Sequence, residues 1–113
     1  MDNKFDFNDG DGPVPAHKHP NGGGWVADTA YVAETAFVGL NAQVYGNAEV
    51  SGNAMVYGDA WVYDDAVVYG DVKVSGTARV SGDAWVFGNA WVFGDAVVYG
   101  NAKVSGNMEL EGE

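Results

Sequence analysis

The hydrophobic pattern of the chain repeats every six residues from Trp25 to the C-terminus. An aliphatic residue marks each unit, at Val26, Val32, Val38, Val44, Val50, Val56, Val62, Val68, Val74, Val80, Val86, Val92, Val98, Val104 and Leu110. Alanine usually stands two residues earlier, with the exceptions Gly24, Val72 and Met108. The unit is Ala-x-Val-[Tyr/Ser/Phe]-Gly-[Asn/Asp], read fifteen times without an insertion.

Each unit predicts one short β-strand and one corner. Residues two apart in a strand face the same side, so alanine and valine share one face and the residues beside them share the other. Glycine followed by Asn or Asp favours a turn. A helix is disfavoured, because a period of six does not match 3.6 and each glycine would cost about 1 kcal/mol against alanine. One unit cannot bury its apolar face alone, so we expect the units to stack into a solenoid.

The spacing from an aliphatic residue to a small residue four positions later, as in Val26 to Ala30, resembles the motif of bacterial hexapeptide-repeat acyltransferases. The resemblance covers residues 25–113. It implies an all-β fold, a single-stranded left-handed parallel β-helix, which is a triangular solenoid of about five 18-residue coils. The hand comes from the resemblance alone, because the general rule for parallel crossovers favours the right hand. The place of glycine, two residues after the aliphatic one, looks like the uninterrupted hexapeptide proteins of phages and prophages.

Residues 1–24 lie outside the repeat, and we expect them to form an extended or irregular cap on the solenoid of residues 25–113. Three prolines between positions 13 and 20 exclude a helix there and favour extended backbone. The first coil of a solenoid exposes apolar side chains and unpaired backbone groups, which Phe5, Phe7 and Val14 are candidates to cover. A loose tail is the alternative.

All thirteen aromatic residues of the array occupy outward positions. Stacking at eighteen residues places Tyr45 under Tyr63, Tyr69 under Phe87, and Trp61 under Arg79, where a cation–π contact is expected. Monomers rarely leave so much apolar surface in water, so we expect a second chain to cover it. A homotrimer is the first choice, because the acyltransferases that the array resembles are trimers, and a foreign protein is the second. The predicted interaction surface comprises Tyr57, Trp61, Tyr63, Tyr69, Trp85, Phe87, Trp91, Phe93 and Tyr99.

The formal net charge of −11 changes the choice of partner. It argues against direct binding of nucleic acid, which needs a basic patch, and favours a basic protein surface. No signal peptide and no apolar run long enough to span a membrane is present, so no membrane association is expected. We expect synthesis in the cytoplasm, which for a phage-encoded protein is that of the host, with the virion as a further location.

The two histidines, His17 and His19, are the candidate metal ligands. In an extended segment both imidazoles point to one side, so they are able to share a metal ion, most readily on the axis of a trimer. Solvent-facing histidines in a cap are the alternative. A calcium loop over residues 6–12 is disfavoured, because Phe7 falls where the first ligand would stand.

The array lacks the histidine that hexapeptide acyltransferases use as general base, and it lacks their extruded loop. The leading hypothesis is therefore a non-catalytic structural or protein-interaction module with no catalytic residues, either a phage virion or tail component or an acidic docking or inhibitor protein. The alternative is an acetyl-coenzyme A-dependent acyltransferase with its active site at a subunit interface, where His17 or His19 acts as the base.

Overall fold

The computed structural model describes residues 4–106 and 109–112 and places seventeen short β-strands in three sheets. Residues 1–3, 107, 108 and 113 are not described. The ends of the predicted segments 1–24 and 25–113, and Met108, therefore lie outside the described residues. Within them there is no helix, so no helix of the length and apolarity needed to cross a membrane is found. The predicted all-β solenoid is confirmed.

An N-terminal hairpin precedes the array and consists of β1 (Lys4–Asp6) and β2 (Pro13–Lys18). The array consists of β3 (Trp25–Ala27), β4 (Tyr31–Val32), β5 (Phe37–Val38), β6 (Gln43–Val44), β7 (Glu49–Val50), β8 (Met55–Val56), β9 (Trp61–Val62), β10 (Val67–Val68), β11 (Lys73–Val74), β12 (Arg79–Val80), β13 (Trp85–Val86), β14 (Trp91–Gly94), β15 (Val97–Val98), β16 (Lys103–Val104) and β17 (Glu109–Gly112). Most of these strands contain only the outward residue and the valine of each unit.

Three consecutive strands make one turn, and each turn adds one strand to each sheet. The first sheet runs β1-β2-β3-β6-β9-β12-β15, the second β4-β7-β10-β13-β16 and the third β5-β8-β11-β14-β17. The array strands pair in parallel with partners 18 residues apart, as Val44 does with Val62 and Val62 with Val80. Each sheet thus contains five array strands, and four full turns separate its first strand from its last. The register confirms the predicted coil length.

The interior is a narrow column of small aliphatic side chains. Among the described residues, the core cluster contains only valine and alanine, and Val72, which replaces an alanine, is fully buried with the rest. Burial of one valine side chain is worth roughly 1.5–3 kcal/mol. Since each coil contacts mainly its neighbours, the stability of the array is approximately a sum of such repeat terms and the interfaces between coils.

The corners explain the repeated glycine. Gly76 has φ +68°, and a Cβ added there would lie 2.8 Å from both the backbone N and O of Gly94 in the next coil. Glycine is needed both for the left-handed backbone and for the close approach of successive coils. Asp64 occupies the same place in its unit with φ 60°, and its Oδ2 accepts a hydrogen bond from the Gly82 N–H at 3.1 Å.

Residues 19–24 take the place of a strand above β5. The Gly24 N–H donates to the Val38 carbonyl at 3.0 Å, and the Val38 N–H donates to the Asn21 carbonyl at 3.0 Å. Beside this segment β2 pairs antiparallel with β3, with His17 opposite Val26. The first coil is therefore paired on two of its three sides, whereas β4 is the end strand of the second sheet within the described residues.

Candidate functional site

The outward rings that follow a valine stack along the solenoid axis. The centroids of Tyr45 and Tyr63 are 5.0 Å apart with 4° between the ring planes, and those of Tyr69 and Phe87 are 5.2 Å apart with 5° between the planes. Both pairs are the columns that the eighteen-residue period predicts. Ring ladders of this kind stabilise adjacent strands in addition to the core.

The N-terminal hairpin extends the edge of the first sheet, and its phenylalanine side chains lie on the outward rings of that sheet. Phe7 is buried against Tyr45, with 4.7 Å between their centroids and 18° between their planes, and Phe5 stacks on Trp25 at 4.8 Å. With Val14 they belong to a cluster that is separate from the valine and alanine core. We expected these side chains at the open end of the core. They pack against the outward rings instead.

Cationic side chains lie over three tryptophan rings in the part of the chain that the structure describes. The guanidinium carbon of Arg79 is 4.4 Å from the ring centroid of Trp61, as the sequence predicted. Lys18 Nζ lies 5.6 Å from the Trp25 centroid, and Lys103 Nζ lies 5.4 Å from the Trp85 centroid. Tryptophan rings on the outer surface of the solenoid therefore contact cationic side chains of the same chain.

The last two coils leave large apolar side chains exposed. The exposed fractions are 43% for Trp85, 40% for Trp91, 53% for Val97 and 67% for Tyr99. We call these four residues the distal aromatic surface. Trp85 lies on β13 of the second sheet, Trp91 on β14 of the third, and Val97 on β15 of the first, with Tyr99 directly after it. They form a girdle around the solenoid rather than a patch on one face.

The nine residues of the predicted interaction surface therefore fall into separate groups. Trp61 and Tyr63 border the hairpin, Tyr69 and Phe87 stack on the second sheet, and Tyr57 is half-buried after β8. Trp91 and Phe93 lie 5.1 Å apart on the third sheet, while Trp85 and Tyr99 stand on the other two.

A cleft between the hairpin loop and the first sheet was not anticipated from the sequence. Its volume is about 470 Å³. Carboxylates and aromatic rings line it: Asp9, Asp11, Asp64, Tyr45, Trp61 and Tyr63. The one available signal was Asp64 itself, because it interrupts the run of glycines at the corner position.

Tyr45 forms the floor of this cleft, and its surroundings keep its hydroxyl protonated. Burial raises the pKa of the Tyr45 hydroxyl well above its usual value, and Tyr63, Asp9 and Asp64 act in the same direction. Arg79 opposes them. Two carboxylates that are far apart in sequence thus act on one hydroxyl, which places a negative potential at the bottom of the cleft.

The two candidate metal ligands have different partners. His17 is exposed, and its Nδ1 lies 2.7 Å from Asp28 Oδ1. His19 is 3% exposed, and its Nε2–H donates to the Ala36 carbonyl at 2.8 Å, to which the Asn21 side-chain amide also donates. A metal ion shared by both imidazoles remains a prediction, and it requires His19 to leave this hydrogen bond or to bind through Nδ1. Within residues 4–106 and 109–112, no three His, Cys, Asp or Glu side chains form a metal-binding group.

The similarity of the chain to known proteins lies in its repeats. Residues 48–64 and 78–94 match the family model described as the YdcK Beta solenoid repeat. Each matched segment begins at an inward alanine and spans almost one coil, but the two begin on different sheets. No curated protein and no solved structure matches the chain significantly. The matched repeats and the parallel coils together show a β-solenoid of the hexapeptide-repeat kind.

Proposed function

We propose that the protein is a non-catalytic structural or interaction module that associates with itself through the distal aromatic surface, with a homotrimer as the expected assembly. The supporting observation is the exposure of Trp85, Trp91, Val97 and Tyr99 at one end of the array. Contact with further copies of the chain on more than one face removes these side chains from water, which favours association. At the other end of the array, rings of the first sheet are covered by the chain's own hairpin, whereas Tyr31 and Leu40 on the other two sides are exposed.

Light scattering of the purified protein tests this proposal. We expect three times the mass of one chain for the wild type and a smaller mass for a Trp85→Ser/Trp91→Ser double variant. Tyr31→Ser is the matched control, since Tyr31 is an exposed ring of the first coil, far from the distal aromatic surface. A wild-type protein that is monomeric throughout the measured concentration range would contradict self-association.

Two biological roles fit such a module, and both start from a phage origin. In the first, the stiff prism is a virion or tail component. In the second, the acidic surface docks on and blocks a basic host protein, which the net charge of −11 supports. Detection of the chain in purified particles favours the first role, whereas salt-sensitive capture of a nuclease or DNA-binding protein favours the second.

The alternative is acetyl-coenzyme A-dependent acyl transfer at a subunit interface, and one observation favours it. The Asp28 carboxylate holds Nδ1 of the exposed His17, which is how a general-base imidazole is commonly oriented. Calorimetric titration with acetyl-coenzyme A tests this function, with His17→Gln as the second protein. Heat of binding together with turnover that His17→Gln abolishes supports it, and the absence of both excludes it.

A further inference from the structure

The cleft beside the hairpin combines negative charge with flat aromatic walls. Three carboxylates, Asp9, Asp11 and Asp64, belong to its lining, and no lysine or arginine does among the described residues. A volume of about 470 Å³ lies within the range of clefts that bind ligands or single side chains.

The carboxylates retain capacity to bind a ligand. Asp64 uses Oδ2 to accept the Gly82 N–H, and Asp9 uses Oδ1 to accept the Asp11 N–H at 3.1 Å. Within the described residues, no donor is bound to the second oxygen of either carboxylate, which leaves it for a donor from outside. Both groups also raise the pKa of the Tyr45 hydroxyl, behind the larger effects of burial and Tyr63, so their charges converge on the floor of the cleft.

Arg79 is a cation of the chain beside the cleft: its charge opposes the effects that raise the pKa of the Tyr45 hydroxyl, but its side chain is not part of the cleft lining. Arg79 lies over the Trp61 ring at 4.4 Å, and its Nη1 donates to the Thr77 carbonyl at 3.4 Å. This contact also shows that an aromatic ring in the cleft lining is able to bind a guanidinium group. A guanidinium is planar, stacks on aromatic faces and offers several donors to carboxylates, so it fits a site built from rings and carboxylates better than an ammonium does.

We propose that this cleft binds an arginine side chain of a basic partner protein, with the charge of the guanidinium matched by Asp9, Asp11 and Asp64 and its plane by the partly exposed rings of Trp61 and Tyr63. Charge complementarity carries the choice of partner, since the net charge of the chain is −11 and the cleft itself is acidic. The proposal deepens the docking role under the proposed function and rests on it. It uses a different surface from the distal aromatic surface.

The test uses the full-length protein and a short, capped peptide of alternating arginine and glycine. A matched peptide carries citrulline, which keeps the shape of arginine without its charge. We expect the arginine peptide to shift the amide signals of residues 8–12, Gly46 and Asp64 in nuclear magnetic resonance spectra, and the citrulline peptide to leave them in place.

The Asp64→Gly variant distinguishes binding in the cleft from attraction of the peptide by the overall negative charge of the protein. Glycine is the residue that Gly46 and Gly82 supply at this place in adjoining coils, so the variant retains the corner conformation. Asp71→Asn removes the same charge at another corner, where Asn53 and Asn89 already occur in the same column. We expect Asp64→Gly to weaken peptide binding about tenfold and Asp71→Asn to weaken it by less than about twofold.

Asp9→Asn is a second test, because the amide oxygen is able to accept the Asp11 N–H as the carboxylate does. Equal weakening by Asp64→Gly and Asp71→Asn, or equal binding of the citrulline peptide, would overturn the proposal. Light scattering keeps the two proposals apart. If the protein is an oligomer that does not bind the peptide, only the arginine-binding proposal is contradicted. If it is a monomer that binds the peptide, only the self-association proposal is contradicted.

Discussion

Phe7 of the hairpin lies flat on Tyr45 of the second coil, with 4.7 Å between the ring centroids and 18° between the planes. Tyr45 in turn stacks on Tyr63 in the third coil, so the hairpin continues the ring ladder of the first sheet. This contact holds the hairpin and, with it, one wall of the acidic cleft. Residues 38 positions apart in the sequence are brought together by it.

Phe7→Ala is expected to release the hairpin without unfolding the solenoid. Truncating a buried phenylalanine removes about 3–5 kcal/mol of packing, but in a repeat protein local units open independently of the rest. Hydrogen exchange should therefore accelerate strongly at the amides of Lys4–Asp6 and remain unchanged in β10. Phe93→Ala, a ring outside the hairpin contact, is the control and should leave exchange of the hairpin unchanged. Loss of protection throughout the array in Phe7→Ala would show that the hairpin is part of the same cooperative unit.

Replacing corner glycines should reveal how closely successive coils approach. Gly76→Ala and Gly100→Ala introduce the same left-handed strain, at φ +68° and +65°, which is worth about 1–2 kcal/mol. The Gly76 Cβ would in addition meet backbone atoms of Gly94 at 2.8 Å, whereas the Gly100 Cβ would meet no atom of the described residues within 4 Å. We expect chemical denaturation to show a loss for Gly76→Ala that exceeds the loss for Gly100→Ala by about 1–3 kcal/mol. Equal losses would mean that the coils separate at little cost.

The two histidines should differ in their effect on stability. His19→Ala removes a buried side chain and a hydrogen bond to the Ala36 carbonyl, so the free energy of unfolding should fall by about 1–3 kcal/mol. His17→Ala removes an exposed contact with the Asp28 carboxylate, which is worth at most about 1 kcal/mol. Urea titration of both variants measures the difference. If elemental analysis finds bound metal and both variants lose it, His19 is a ligand as well as a structural donor.

Stability in alkali should depend on Tyr45. Burial, followed by Tyr63, Asp9 and Asp64, raises the pKa of its hydroxyl in the folded chain, whereas the unfolded chain has a tyrosine pKa of about 10. The unfolded state therefore loses its proton first, and the stabilisation is complete below about pH 10 and declines above it. At pH 11 the loss in the free energy of unfolding should be on the order of 1 kcal/mol, and Tyr45→Phe should not show it. Parallel curves of unfolding free energy against pH for the two proteins would contradict this expectation.

Most of the solenoid follows from the sequence alone because its interactions repeat. Valine and alanine two apart define the inward face, and a glycine in most units defines the corner, so each coil contains the information for the next. The columns of Tyr45 with Tyr63 and of Trp61 with Arg79 then follow from the eighteen-residue period.

The contacts of the non-repeating segment became apparent only in the folded chain. The hairpin of β1 and β2, the burial of His19 under the first coil and the seating of Phe7 on Tyr45 join residues whose spacing follows no period. The acidic cleft depends on the same contacts, because Asp9 meets Tyr63 and Asp64 there only after the hairpin has folded onto the first sheet. In a repeat, the position of a residue in its unit determines which residues of the next coil it contacts. The contacts of the cap follow no such rule, because they depend on which apolar surface remains exposed after the coils have stacked.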